Sequence, residues 1–138
     1  VGDKLLTSIQ VLTLEVFLKR PISFLEKSEY YRKMFETPYY AVIFSSRKKT
    51  ESTSYDQVAE RMEELSAKYQ GFLGVQSVRG SDGFGITVSY WRSLEDIKSW
   101  KMNLEHQEAQ QNGKANWYAG YQVRVCKVER QYSFGDIL

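Results

Sequence analysis

The chain has 138 residues, of which 42% are hydrophobic and 14% aromatic. That is enough for one domain with a real core, and it excludes a wholly disordered chain. The 19 basic and 17 acidic residues are interspersed and sum to a net charge of +2, so no nucleic-acid footprint stands out. One cysteine excludes an intrachain disulfide and a Cys-rich metal site, and one histidine excludes a multi-histidine centre within the chain.

In the first 38 residues, Leu5, Ile9, Leu12 and Val16 fall at helical spacing, in a run whose β-branched residues also permit a strand. The apolar run Ile9–Leu18 is too short to cross a bilayer, and no small-residue cleavage site marks a signal peptide. A reduced cytoplasmic protein without a membrane or nucleic-acid partner is therefore expected. Pro21 breaks whatever precedes it. Ser23 and Glu26 form a capping pair that opens an amphipathic helix to about Phe35, and Pro38 ends it.

Tyr39–Ser46 is apolar on both alternating faces and predicts a central strand, followed by a solvated loop that includes Arg47-Lys48-Lys49. Ser54 and Gln57 open a second helix, with Tyr55, Val58, Met62, Leu65 and Tyr69 on one face and Gly71 as its stop. Phe72–Arg79 and Phe84–Trp91 predict two strands joined by the reversal Gly80-Ser81-Asp82-Gly83. Ser93 and Asp96 cap a third helix, with Ile97, Trp100 and Leu104 inward and Gly113 ending the pattern. Tyr118–Tyr132 predicts a long last strand with Tyr121, Val123 and Val125 on one face. Cys126 within it reads as a small buried apolar residue rather than a reactive thiol.

From Tyr39 the order is β-α-β-β-α-β. This predicts an α+β, ferredoxin-like domain: a four-stranded antiparallel sheet with both helices on one face. The other face carries aromatic and β-branched residues and would be left bare. A two-fold homodimer, sheet packed on sheet and closing into a dimeric α/β barrel, is the simplest cover. The expected divisions are an N-terminal extension over 1–37, the domain over 38–134 and a tail over 135–138.

The segments PYYAVIFSS, GFLGVQSVRG, DGFGITVSYWRSLEDIKSWKMNLEHQEAQQNG and WYAGYQVRVCKVERQYSF resemble the antibiotic biosynthesis monooxygenase domain family, in its uncharacterised bacterial branch. The match is carried most by Tyr90-Trp91, Trp100, Glu105-His106, Ala109, Gly113 and Trp117-Tyr118. Members of the family commonly begin a few residues before the first strand, where Met34 stands in this chain. Residues 1–33 thus read either as an upstream extension of the reading frame or as a native helix with an ordinary internal methionine.

The resemblance implies a dimeric barrel and a range of activities. These are cofactor-independent oxygenases that turn polycyclic phenols or anthrones into quinones, quinol monooxygenases, and haem-degrading oxygenases. Haem-degrading relatives place an Asn on the first strand, a Trp on the second helix of the domain and a His about ten residues later. Here Phe44, Ser45 and Ser46 stand on the strand, Trp100 matches, and Gln110 replaces the His. Haem turnover ranks below a haem-free activity on that account.

Cofactor-free oxygenation requires a substrate that gives up a proton, a base to take it, an apolar cavity and a donor for the developing oxyanion. His106 is the side chain whose ordinary pKa suits the base, and Asn103, one turn from Trp100 and His106, suits the donor. Trp100, Trp91 and Tyr90 would wall a planar substrate, with Tyr118 or Tyr121 donating from the last strand. No cofactor and no metal enter this reading. On an unbroken helix, however, His106 lies roughly opposite Ile97, and only a break near Asn103–Glu105 would turn it inward. The plain alternatives are core packing for Trp100, structural or dimer contacts for Trp91 and Trp117, and a solvated Glu105. Three functions follow: a monooxygenase on a small phenolic, quinol or anthrone-like compound; a non-catalytic dimeric binding or structural module; and a haem-binding protein.

Overall fold

The computed structural model describes residues 35–49, 64–66, 68–110 and 118–135, with Ser23, Leu25, Glu29 and Arg32 as single positions; within 105–110 only the backbone is described. The elements expected before Ser23 and between Thr50 and Glu63, and also Trp117, lie outside the described residues.

Four strands form one antiparallel sheet. They are β1 (Tyr39–Lys48), β2 (Phe72–Arg79), β3 (Phe84–Trp91) and β4 (Tyr118–Val128), in spatial order β2-β3-β1-β4. One long helix, α1 (Leu94–Gln110), connects β3 to β4. Glu64–Ser66 form the described end of the helix before β2, and Leu25, Glu29 and Arg32 are helical where the Ser23–Glu26 pair predicts a helix. This is the ferredoxin-like arrangement expected from the order of elements.

Local chemistry accounts for the boundaries. The β2–β3 reversal closes with Gly83 N donating to Gly80 O (3.0 Å) and Gly80 N to Phe84 O (2.8 Å), while Gly83 takes a φ of 87°. Ser93 Oγ accepts from Asp96 N (3.1 Å) and donates to the Asp96 carboxylate (2.6 Å), so the predicted cap starts α1. On α1, Ile97, Trp100 and Leu104 are half-buried, whereas Leu94 and Met102 are exposed, as the apolar stripe requires.

Two ends differ from expectation. Arg47 and Lys48 continue β1 instead of opening a loop, because both have pairing partners, Arg47 opposite Phe84 and Gly120 and Lys48 opposite Tyr118. β4 stops at Val128, four residues before Tyr132, because the chain turns its hydrogen bonds elsewhere. Gln131 accepts from the Tyr39 hydroxyl (2.6 Å) and donates to Phe35 O (2.7 Å).

Phe35 lies just before the expected domain boundary yet is core. It packs with Tyr39 and Leu73, and Tyr90 and Val128 lie against them. The Arg92 guanidinium holds the same segment, donating to the carbonyls of Glu36 and Pro38. A bulge in β2 sets Phe72 opposite Trp91 and Gly74 opposite Tyr90, so Leu73 is the extra residue.

Candidate functional site

Alternate residues of a strand share a face, and directly paired residues share it across strands. The registers therefore assemble the helix-side face as four rows. The first holds Phe72, Trp91, Tyr40 and Lys127. The second holds Val75, Ser89, Val42 and Val125. The third holds Ser77, Thr87, Phe44 and Val123. The fourth holds Arg79, Gly85, Ser46 and Tyr121.

The first row meets the helices. Trp91 is fully buried and stacks with Trp100 of α1 (6.2 Å, 29°). Phe72 and Tyr69 meet Trp91 edge-on, and Tyr69 meets Trp100 at 5.3 Å. The Trp91 indole N–H donates to Ser89 Oγ (2.9 Å), which satisfies the one polar atom that burial of the ring would otherwise leave unpaired. Asn103 Nδ2 donates to the Tyr69 hydroxyl (2.7 Å) and so joins this wall.

The far end is a second aromatic group. Phe44 stacks with Tyr121 (5.5 Å, 25°) and meets Tyr118 edge-on (5.3 Å). Between the two groups the floor is divided. Ser77, Thr87 and Ser89 line the β2–β3 half together with Val75, and the Ser77 and Thr87 hydroxyls are 2.7 Å apart. Val42, Val123 and Val125 line the β1–β4 half, and Tyr121, Val123 and Val125 keep 46%, 48% and 50% of their surface. A half-open trough thus runs along the helix side, with an indole wall at one end and phenols at the other. An open depression of about 350 Å³ at the same end of the sheet belongs mostly to the other face, with Ser45, Arg47, Phe84 and Gln122 in its lining beside Ser46 and Tyr121.

The structure joins Trp91, Trp100 and Asn103 at one end and places Tyr118 and Tyr121 at the other. Tyr90 stands apart from them. It pairs with Ala41 and shares the opposite face with Tyr39 and Phe35, its ring 6.0 Å and 5.7 Å from theirs. Its hydroxyl donates to Gln76 (2.7 Å), and burial pushes its pKa up. Adjacent residues of a strand point to opposite sides, so a pocket cannot take both Tyr90 and Trp91 from β3. The helix runs unbroken from Leu94 to Gln110, so the turn that would bring residue 106 inward does not occur; the His106 side chain lies outside the described residues.

Arg79 is a feature of the helix-side face that sequence reasoning missed. From the edge strand its guanidinium crosses β3 to reach β1, donating to Ser46 Oγ (2.8 Å) and to Gly83 O (2.6 Å). It passes where a side chain at position 85 would stand: a Cβ there would lie 2.8 Å from the Arg79 Cζ. A glycine inside an alternating strand was the available signal, since it marks the close approach of another group. Among the described residues no group of His, Cys, Asp and Glu side chains could hold a metal ion. No described helix is long and apolar enough to cross a membrane.

Comparison with known proteins agrees with this architecture. The chain is 53% identical over 108 residues to the uncharacterized protein YqjZ of Bacillus subtilis, covering 78% of this chain and 95% of YqjZ. The fold is similar to that of SnoaB, a cofactor-independent oxygenase from Streptomyces nogalater, with a TM-score of 0.55 at 11% identity over 67% of this chain and 95% of SnoaB. It is similar also to a protein from Nitrosomonas europaea assigned as an antibiotic biosynthesis monooxygenase, with a TM-score of 0.56 at 15% identity over 73% and 98% of the two chains. Residues 38–112 match the antibiotic biosynthesis monooxygenase family, and with the YqjZ likeness this establishes that the chain belongs to that family.

Proposed function

We propose that the protein is a cofactor-independent monooxygenase acting on a small phenolic, quinol or anthrone-like compound bound in the helix-side trough. The observation that carries this reading is the stacked Trp91–Trp100 wall facing a floor that is half hydroxyl and half apolar. Flat aromatic rings stack on such a wall, and oxygen substituents along one edge find donors and acceptors in Ser77, Thr87 and Ser89. Family membership supplies the chemistry. For an anthrone, one oxygen atom of O₂ becomes the new ring carbonyl, and the other leaves as water with the two hydrogens of the oxidised carbon. Deprotonation comes first, because the anion is the species that passes an electron to dioxygen. Tyr118 and Tyr121 are assigned as the donors to the substrate oxygen from β4, where both rings pack against Phe44.

The base is assigned to His106 on its ordinary pKa and the oxyanion donor to Asn103, whose Nδ2 donates to the Tyr69 hydroxyl. Nine residues at 100° each set residue 106 about half a turn from Ile97, which counts against a direct role. That geometry favours the second reading, a non-catalytic module that binds aromatic compounds in the same trough.

Oxygen uptake with a panel of anthrones, hydroquinones and catechols decides between them. Enzyme-dependent uptake is expected, falling by roughly 10²-fold in His106→Ala if the imidazole is the base. Uptake unchanged by the substitution removes His106 and keeps the oxygenase. Binding of the same compounds without uptake selects the module.

A second copy of the chain is the proposed cover for the face away from α1. There Val78, Phe84 and Ile86 keep 72%, 42% and 39% of their surface, apolar side chains that the matching face of a partner would take out of water. Sedimentation at micromolar concentration checks the homodimer. We place the protein in the cytoplasm and assign the family's α+β barrel domain to 38–134.

A further inference from the structure

We propose that two copies of the chain exchange the run that follows β4, residues 129–135, so that Tyr132 and Phe134 of each are seated in the depression beside Gly120 of the other. The inference rests on the homodimer reading above and names the contact that holds the pair together.

Residues 129–135 form neither helix nor strand, but they are tied to the sheet. The Gln131 side chain accepts from the Tyr39 hydroxyl (2.6 Å) and donates to Phe35 O (2.7 Å). Tyr39 and Phe35 belong to the face away from α1, so the run is fastened there, at the Tyr39 end of β1. Past this tie Tyr132 and Phe134 keep 88% and 98% of their surface. Aromatic rings carry a large apolar area on few rotatable bonds, which makes them the commonest anchors between subunits. Here two of them are held in water almost untouched by their own chain.

The receiving surface lies on the same face at the other end of β1. Ser45, Arg47, Phe84, Gly120 and Gln122 line the open depression of about 350 Å³. Gly120 leaves it unfilled, since a Cβ there would meet nothing within 4 Å. The exposed Arg47 guanidinium lies over the Phe84 ring, 5.6 Å from its centroid, and an incoming ring would make the same cation–π contact on its other side. Ser45 and Gln122 would meet the Tyr132 hydroxyl.

A chain cannot fill its own depression. From Tyr39 to Arg47 β1 runs about 27 Å, whereas the chain from Gln131 to Phe134 spans at most about 11 Å. A second copy can. With the strands of the two sheets antiparallel, the Tyr39 end of one lies over the Arg47 end of the other, and two-fold symmetry makes the contact twice. Both rings and both depressions are then used, which an unlike partner would have to arrange separately.

Sedimentation of the full chain across a dilution series tests this with two variants that a single chain should tolerate. Tyr132→Ser together with Phe134→Ser removes rings that their own chain barely touches, and Gly120→Leu fills the depression where a side chain has room. Each is expected to weaken the dimer roughly 10²-fold. An equimolar mixture of the two should associate roughly tenfold more tightly than either alone, because a mixed pair keeps one intact contact and each variant by itself keeps none. Gln122→Trp, also at an exposed position, takes the place of Gly120→Leu if that variant does not fold. Association of wild-type strength in either variant overturns the inference, as does a mixture no tighter than its components. A wild-type dimer in those cases leaves the homodimer reading standing. A wild-type chain that stays monomeric throughout overturns both.

Discussion

Trp91 and Tyr90 are neighbours in β3, and they belong to two differently built halves of the molecule. Trp91 faces α1 and is roofed by Trp100, Tyr69 and Phe72, all from this chain. Tyr90 faces away and is covered by Phe35 and Tyr39 at one end of the sheet only, while Phe84, Ile86 and Val78 further along stay exposed. One half makes its own enclosure and leaves a trough inside it. The other is enclosed around Phe35 and Tyr39 and leaves the far end of its face exposed. Stability should therefore concentrate around Trp91, and tolerance of change along the bare face.

The sharpest way to break that contrast is Trp91→Ala. A fully buried indole with three aromatic neighbours should cost about 3–5 kcal/mol, measured by urea unfolding. A cost under 1 kcal/mol would show that the helix-side enclosure is not the core. Gly85→Ala comes next. Its Cβ would meet Arg79 and lie 3.0 Å from Val78 O, so a loss of about 1–3 kcal/mol is expected, with the guanidinium displaced from Ser46. Unchanged stability would mean that the crossing is not tightly packed.

Tyr90→Phe probes the other half. Losing the hydrogen bond to Gln76 should cost about 1 kcal/mol. It should also change the alkaline limb of stability. Burial raises the Tyr90 pKa; burial and the neighbouring Tyr90 raise that of Tyr39, partly offset by Arg92. The unfolded chain then releases these protons first. Stability is full below about pH 10 and falls as pH rises through the raised values, and removing the Tyr90 hydroxyl should flatten that fall. An identical alkaline slope in the variant would exclude Tyr90 as its source. The smallest effect is predicted for Val78→Thr, 72% exposed in the single chain: within about 0.5 kcal/mol in unfolding, with any larger change appearing only as altered self-association.

Much of the frame was legible beforehand, because it depends on local chemistry. β2 and β3 begin and end where their alternation and the Gly80–Gly83 turn place them, and Ser93–Asp96 caps α1. The inward set Ile97, Trp100 and Leu104 follows from helical period alone. What escaped was long-range. The end of β4 is decided by Gln131 bridging Tyr39 and Phe35, partners 92 and 96 residues away. Phe35 belongs to the core because Tyr39 and Leu73 receive it, which no boundary drawn at Pro38 could show. Arg79 reaches the trough through a gap that exists only once β3 is paired between β2 and β1. The separation of Tyr90 from Trp91 was readable from alternation, and grouping them by aromatic character obscured it.

The extra residue in β2 has a mechanical consequence. Phe72 packs against Trp91 in the trough wall, and Leu73 packs against Phe35 and Tyr39 on the other side. Without the bulge a strand would give these two tasks to residues in a fixed alternation along the whole hairpin; with it, the phase changes in mid-strand. The two aromatic clusters are joined through one peptide unit at Phe72–Leu73, as they are at Tyr90–Trp91 in β3. A substitution at Phe72 should therefore be felt at Leu73 as well as at Trp91, and the sheet serves there as the shared spine of both clusters.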